Sequence, residues 1–100
     1  MVNLTLDDTV ARTHAVLAAD TGTEILALDE KSGNCFSFAG SGRLIWDCTK
    51  DPIRVRDICS LLRQQYQVDE ATCAAETLAF INTLVAEKLL LVAPPKQKAE

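Results

Sequence analysis

A chain of 100 residues, 48% of them hydrophobic, buries on folding roughly 60–65% of the surface its unfolded form exposes, enough for one core and not for two. Its 10 Lys and Arg against 14 Asp and Glu leave a net charge of −4. No global positive field is available to gather phosphates or hold an anionic membrane, which argues against nucleic acid and membrane as partners.

The N-terminus has no basic segment leading into an apolar one, and the longest apolar run, Leu89-Leu90-Leu91-Val92-Ala93, is far too short to cross a bilayer. A cytoplasmic protein is expected. In chain order, Val10-Ala11-Arg12-Thr13 and Ala15-Val16-Leu17-Ala18 are weak strand candidates with His14 between them. Glu24-Ile25-Leu26-Ala27-Leu28-Asp29 is stronger, with apolar residues on both faces, and is expected to be a central strand. Glu30-Lys31-Ser32-Gly33 supplies turn residues, and Asn34-Cys35-Phe36-Ser37-Phe38 returns as the second arm of a hairpin. On that arm Phe36 and Phe38 share one face, Cys35 and Ser37 the other.

Ser41 is placed to cap a short helix from Gly42 to about Thr49, which Asp51-Pro52 ends. A second helix, about Val55 to Tyr66, sets Val55, Ile58, Cys59, Leu62 and Tyr66 on one stripe. Asp69 caps a third, in which Cys73, Thr77, Ile81 and Leu84 form a core stripe. Leu78, Phe80 and Val85 widen that stripe, so the third helix is expected to touch two things. The outline is an α+β, winged-helix-like domain: a three-stranded antiparallel sheet followed by three helices. Residues 1–93 form the domain and residues 94–100 read as a disordered, solvated tail.

Chemistry-bearing residues are sparse. The four cysteines, Cys35, Cys48, Cys59 and Cys73, contain no Cys-x₂-Cys pair, and one histidine, His14, is available to complete a metal site. They read as buried reduced thiols, with no metal or cofactor expected. Asp7-Asp8 falls in a loop, and Asp69-Glu70 at a helix start, where carboxylates favour the dipole. Ala39-Gly40-Ser41-Gly42 lacks the further glycine and lysine of a phosphate loop and reads as a tight turn. No enzyme site can be assembled from these residues.

The succession of Glu24–Asp29, Asn34–Phe38, Ser41-Gly42-Arg43-Leu44-Ile45-Trp46, Val55 to Tyr66, and Glu76-Thr77-Leu78-Ala79-Phe80-Ile81 to Leu84 resembles the PqqD-like family, the RiPP recognition elements. The resemblance spans about Val10 to Val92. It implies a non-catalytic peptide chaperone that binds the leader segment of a ribosomally made precursor peptide and presents it to a modifying enzyme, such as a leader peptidase or a radical enzyme. It also implies that the leader adds as a strand to the edge of the third strand, against the third helix. Phe38-Ala39, Glu76-Thr77 and Lys88 depart from the family's common pattern, which argues against pyrroloquinoline quinone synthesis itself and leaves lasso and radical-modified peptides open.

The residues support an edge of this kind. Nothing in Cys35–Phe38 blunts an open edge with lysine or proline, so the edge is covered within the protein, pairs with a second copy, or awaits a peptide strand. The expected peptide-binding residues are Asn34, Cys35, Phe36, Ser37 and Phe38 on the strand and Glu76, Ala79, Phe80 and Thr83 on the helix, at i, i+3, i+4 and i+7. Arg43 and Lys31 are weaker candidates for leader carboxylates. Competing readings are a winged-helix DNA-binding protein, disfavoured by Glu70, Glu76 and Glu87 against Lys88 on the third helix, and a strand-paired homodimer.

Overall fold

The computed structural model describes residues 4–13 and 16–93; His14 and the 94–100 segment lie outside the described residues. The elements run β1 (Thr9–Arg12), β2 (Val16–Asp20), β3 (Ile25–Asp29), β4 (Cys35–Phe38), α1 (Ser41–Cys48), β5 (Ile53–Arg54), α2 (Val55–Gln65), α3 (Glu70–Ala86) and β6 (Leu90–Ala93). The fold is α+β with two antiparallel three-stranded sheets, ordered β2-β3-β4 and β5-β1-β6. β3 is central in the first sheet, as its apolar pattern implies.

The second sheet was not expected. β1 joins no hairpin with its sequence neighbour; it pairs with β5 and, over its whole length, with β6, Thr9 opposite Ala93 and Arg12 opposite Leu90. The reason is burial: Val10 and Leu90 are both almost fully enclosed, and pairing the two ends of the domain covers them together. Leu90–Ala93, within the apolar run that begins at Leu89, is therefore a strand that closes the fold.

The β3–β4 turn is built around Asp29. Its carboxylate accepts from the Lys31 N–H and the Ser32 hydroxyl at 3.1 and 2.9 Å, an Asx-type arrangement, while Gly33 takes φ 79. The next corner differs from expectation. Gly40, not Ser41, precedes the first helix, at φ 59 and ψ −131 with no side-chain cap, a conformation essentially reserved for glycine. Ser41 is the first helical residue.

α2 buries Val55, Ile58, Cys59 and Leu62, and α3 buries Cys73, Thr77, Ile81 and Leu84, as the 3.6-residue period implies; Tyr66, expected on the α2 stripe, instead lies just past the helix end and is exposed. α3 packs on α2 and on β6, which accounts for its widened apolar surface. Its start is capped by Asp69, whose carboxylate accepts from the Thr72 N–H at 3.0 Å. Its end passes through Lys88 at φ 67, the left-handed position where helices commonly place glycine. Of the cysteines, Cys59 and Cys73 are buried and Cys48 half-buried, but Cys35 is exposed, because β4 turns it to the outer face of the sheet opposite Leu28.

The Asp69 cap carries a pH signature. Hydrogen bonds from Thr72 hold its carboxyl below the ordinary range. A depressed folded-state value means that this contribution is complete above the ordinary carboxylate range and is lost as pH falls through the lowered value. Asp69→Asn, which still accepts the cap bond, is expected to keep the helix while flattening the acid limb of a melting-temperature profile; an unchanged limb would show that the cap charge contributes nothing.

Candidate functional site

β4 has one partner, β3, and its other side is unpaired among the described residues. Which backbone groups point out of that side follows from the ladder. The Asp29 N–H donates to the Asn34 carbonyl at 2.9 Å, so Asp29 and Asn34 form a hydrogen-bonded pair. Pair types alternate along an antiparallel ladder. Hence Phe36 and Phe38, opposite Ala27 and Ile25, direct their N–H and C=O inward, while Cys35 and Ser37 direct theirs to the open side. The other hairpin agrees: the Thr21 N–H donates to the Glu24 carbonyl at 2.9 Å, so alternate β3 residues serve β2, leaving Ile25, Ala27 and Asp29 for β4.

The side chains follow the same alternation. Phe38 is buried and Phe36 half-buried on the helix-facing side, while Cys35 and Ser37 face outward with Leu26 and Leu28, and the Ser37 hydroxyl donates to Glu24. Beside this edge lies a cleft of ≈ 560 Å³. β4 contributes Ser37 and Phe38, α1 contributes Gly42 and Ile45, Leu62, Tyr66 and Val68 come from α2 and the segment after it, and α3 contributes Cys73, Glu76, Thr77 and Phe80. Phe80 meets Phe38 edge to face at 5.7 Å between ring centroids. Gly42 matters here because a Cβ on it would stand 3.3 Å from the Phe80 ring; the missing side chain lets that ring lie against α1.

Of the nine residues expected from the sequence to bind peptide, the structure brings Ser37, Phe38, Glu76 and Phe80 together around the cleft. Asn34, Cys35 and Phe36 continue the same strand edge away from it. Ala79 and Thr83 are exposed on α3 outside the cleft lining, the Thr83 hydroxyl donating to the Ala79 carbonyl at 3.1 Å. Gly42, Ile45, Leu62, Tyr66 and Val68 were not foreseen as site residues; they come from separate segments, and the helical spacing of Leu62 and Tyr66 reads equally as core. Arg43 is already engaged, forked onto Asp20 at 2.9 and 2.6 Å, and this pairing raises the Arg43 pKa and lowers that of Asp20.

Among the described residues no group of three His, Cys, Asp or Glu side chains is placed to hold a metal ion, and no helix is long and apolar enough to cross a membrane. Burial pushes the Cys48 and Cys59 thiols up, away from the thiolate form that a nucleophile needs.

The described residues thus set an unpaired strand edge of an α+β domain beside a helix-walled cleft. The family model described as "Coenzyme PQQ synthesis protein D (PqqD)" matches residues 24–90, and the chain belongs to the PqqD family. None of the curated proteins matches the chain. Among solved structures, one entitled "TbiB1 in Complex with the TbiA(beta) Leader Peptide" superposes with a TM-score of 0.77 at 23% identity, covering 88% of this chain and 99% of that one. At this identity the likeness establishes a shared fold.

Proposed function

We propose that this protein is a non-catalytic peptide chaperone that captures the leader segment of a ribosomally synthesised precursor as an added strand on β4 and presents it to a modifying enzyme. The observation that carries this reading is the outward-facing N–H and C=O groups of Cys35 and Ser37 beside the cleft walled by α3, in a chain of the PqqD family. The structural neighbour's complex with a leader peptide is in keeping with it.

Magnitudes say what the leader must supply. Ordering about five residues costs roughly 1–2 kcal/mol each in backbone entropy, and four ladder hydrogen bonds return only about 0.5–1.5 kcal/mol each. The deficit is offset by one or two apolar side chains, each worth about 1.5–3 kcal/mol when enclosed. In an added strand the residues opposite Phe36 and Phe38 project toward α3, so the anchors of a leader stand two positions apart.

The DNA-binding alternative meets an α3 whose charged residues are Glu70 and Glu76, whereas a helix on DNA needs cations to neutralise phosphates. Affinity capture from the protein's own host, read by intact mass, tests the proposal. The expected catch is a short gene-encoded peptide held through its N-terminal segment and released by Phe36→Lys, with or without a maturation enzyme. Recovery of the protein alone from cells known to express the precursor would give the edge to a second copy instead.

A further inference from the structure

Among the residues lining the cleft, Glu76 is the single charged one. It stands one helical turn before Phe80 on α3, and its neighbours in the lining are mainly rings and aliphatic chains, with a few hydroxyls. The described ion pairs join Arg43 to Asp20 and Arg56 to Asp7; neither involves Glu76. Arg43, whose helix supplies Gly42 and Ile45 to the same cleft, is held by Asp20. The carboxylate is exposed to water.

A peptide lying on β4 changes that state, because it covers the cleft and removes water from whatever lines it. A carboxylate that loses water without gaining a partner is strongly unfavourable, and one that meets a cation or a donor is not. An acidic leader side chain in the same place adds repulsion, which makes Glu76 a discriminating element as well as an attractive one. The chain's net charge of −4 acts in the same direction at longer range.

We infer that Glu76 selects leaders carrying a Lys or Arg side chain on the cleft-facing side of the added strand, two residues from an apolar anchor that packs against Phe38 and Phe80. This rests on the reading of the cleft as the leader site. The spacing follows from the strand repeat: side chains that share a face alternate along the chain, and the cleft admits one face only.

The test needs no knowledge of the natural precursor. A displayed library of random peptides is selected on the wild-type protein, on Glu76→Lys, and on Ser37→Pro as the control for strand addition. Wild-type selection is expected to enrich Lys or Arg two positions from an apolar residue, and Glu76→Lys to reverse that preference toward Asp or Glu. Synthetic copies of the enriched peptides are expected to bind Glu76→Gln about three- to fivefold more weakly, with the gap narrowing as salt is raised. Peptides that enrich on the wild type and are lost with Ser37→Pro, yet show no charge preference or bind Glu76→Lys equally well, overturn the role of Glu76 and leave the leader reading standing. Failure to enrich any peptide, with all three proteins shown to be folded by their melting transitions, overturns the leader reading itself.

Discussion

Replacing Ser37 by proline is expected to abolish peptide capture while leaving the domain folded. The effect depends on the direction of one N–H. Alternation from the Asp29–Asn34 hydrogen bond places the Ser37 amide on the open side of β4, where it serves no bond to β3. Proline is tolerated on an edge strand when the amide it removes faces outward. The same substitution deletes a donor that an incoming strand requires and sets a ring methylene in its path. Phe36→Pro is the opposing control, because the Phe36 amide is directed toward Ala27 inside the hairpin and its loss breaks the ladder. Thermal melting and peptide affinity measured on both variants therefore give a crossed pattern: Ser37→Pro folded and inactive, Phe36→Pro destabilised. Wild-type affinity in a folded Ser37→Pro would rule out strand addition on β4.

This directionality was within reach of the sequence only as far as the hairpin itself. Alternation in Cys35–Phe38 separates two faces, and the core stripe Cys73, Thr77, Ile81 and Leu84 follows from helical spacing, because both patterns are short-range. β5 and β6 carry no such signal. Ile53–Arg54 is too short for any period, and Leu90–Ala93 is apolar throughout, so its identity as a strand depends on β1 at the far end of the chain. The cleft shows the same division. Helical spacing puts Glu76, Ala79, Phe80 and Thr83 on one flank of α3, yet the cleft opens where the end of α2 brings Leu62 and Tyr66 against the first half of α3, so Glu76 and Phe80 line it and the other two do not. Lys88, one of the departures from the family's common pattern, takes a backbone at φ 67, the left-handed region that glycine adopts most readily and lysine only at some cost.

Trp46→Ala is expected to be the most damaging single substitution for stability, and its effect reaches the peptide edge. Trp46 is 1% exposed and lies between the two sheets. From β1, Arg12 stacks its guanidinium 4.3 Å from the indole centroid and donates to the Trp46 carbonyl at 2.7 Å and to the Thr49 hydroxyl at 3.2 Å. From β4, Phe38 packs on the indole with centroids 5.3 Å apart. Burial lowers the Arg12 pKa, partly countered by Asp47, without bringing an arginine near neutrality at ordinary pH. Removing the indole leaves a cavity and a half-buried cation without its aromatic partner, a loss of about 3–5 kcal/mol for a buried Trp, against a total of about 5–15 kcal/mol for a domain. In a domain of this size each kcal/mol shifts the midpoint by roughly 4–8 °C, so a fall of about 12–40 °C is expected, and Trp46→Phe should recover much of it. Arg12→Met in the Trp46→Phe background separates the ring's packing from its interaction with the cation: non-additive losses in the double-mutant cycle would measure the coupling. Because Phe38 touches both Trp46 and Phe80, any Trp46 variant that still folds is expected to bind peptide more weakly than the wild type. Unchanged affinity in a destabilised Trp46→Phe would show that the cleft's ring pair is held independently of the joint between the sheets.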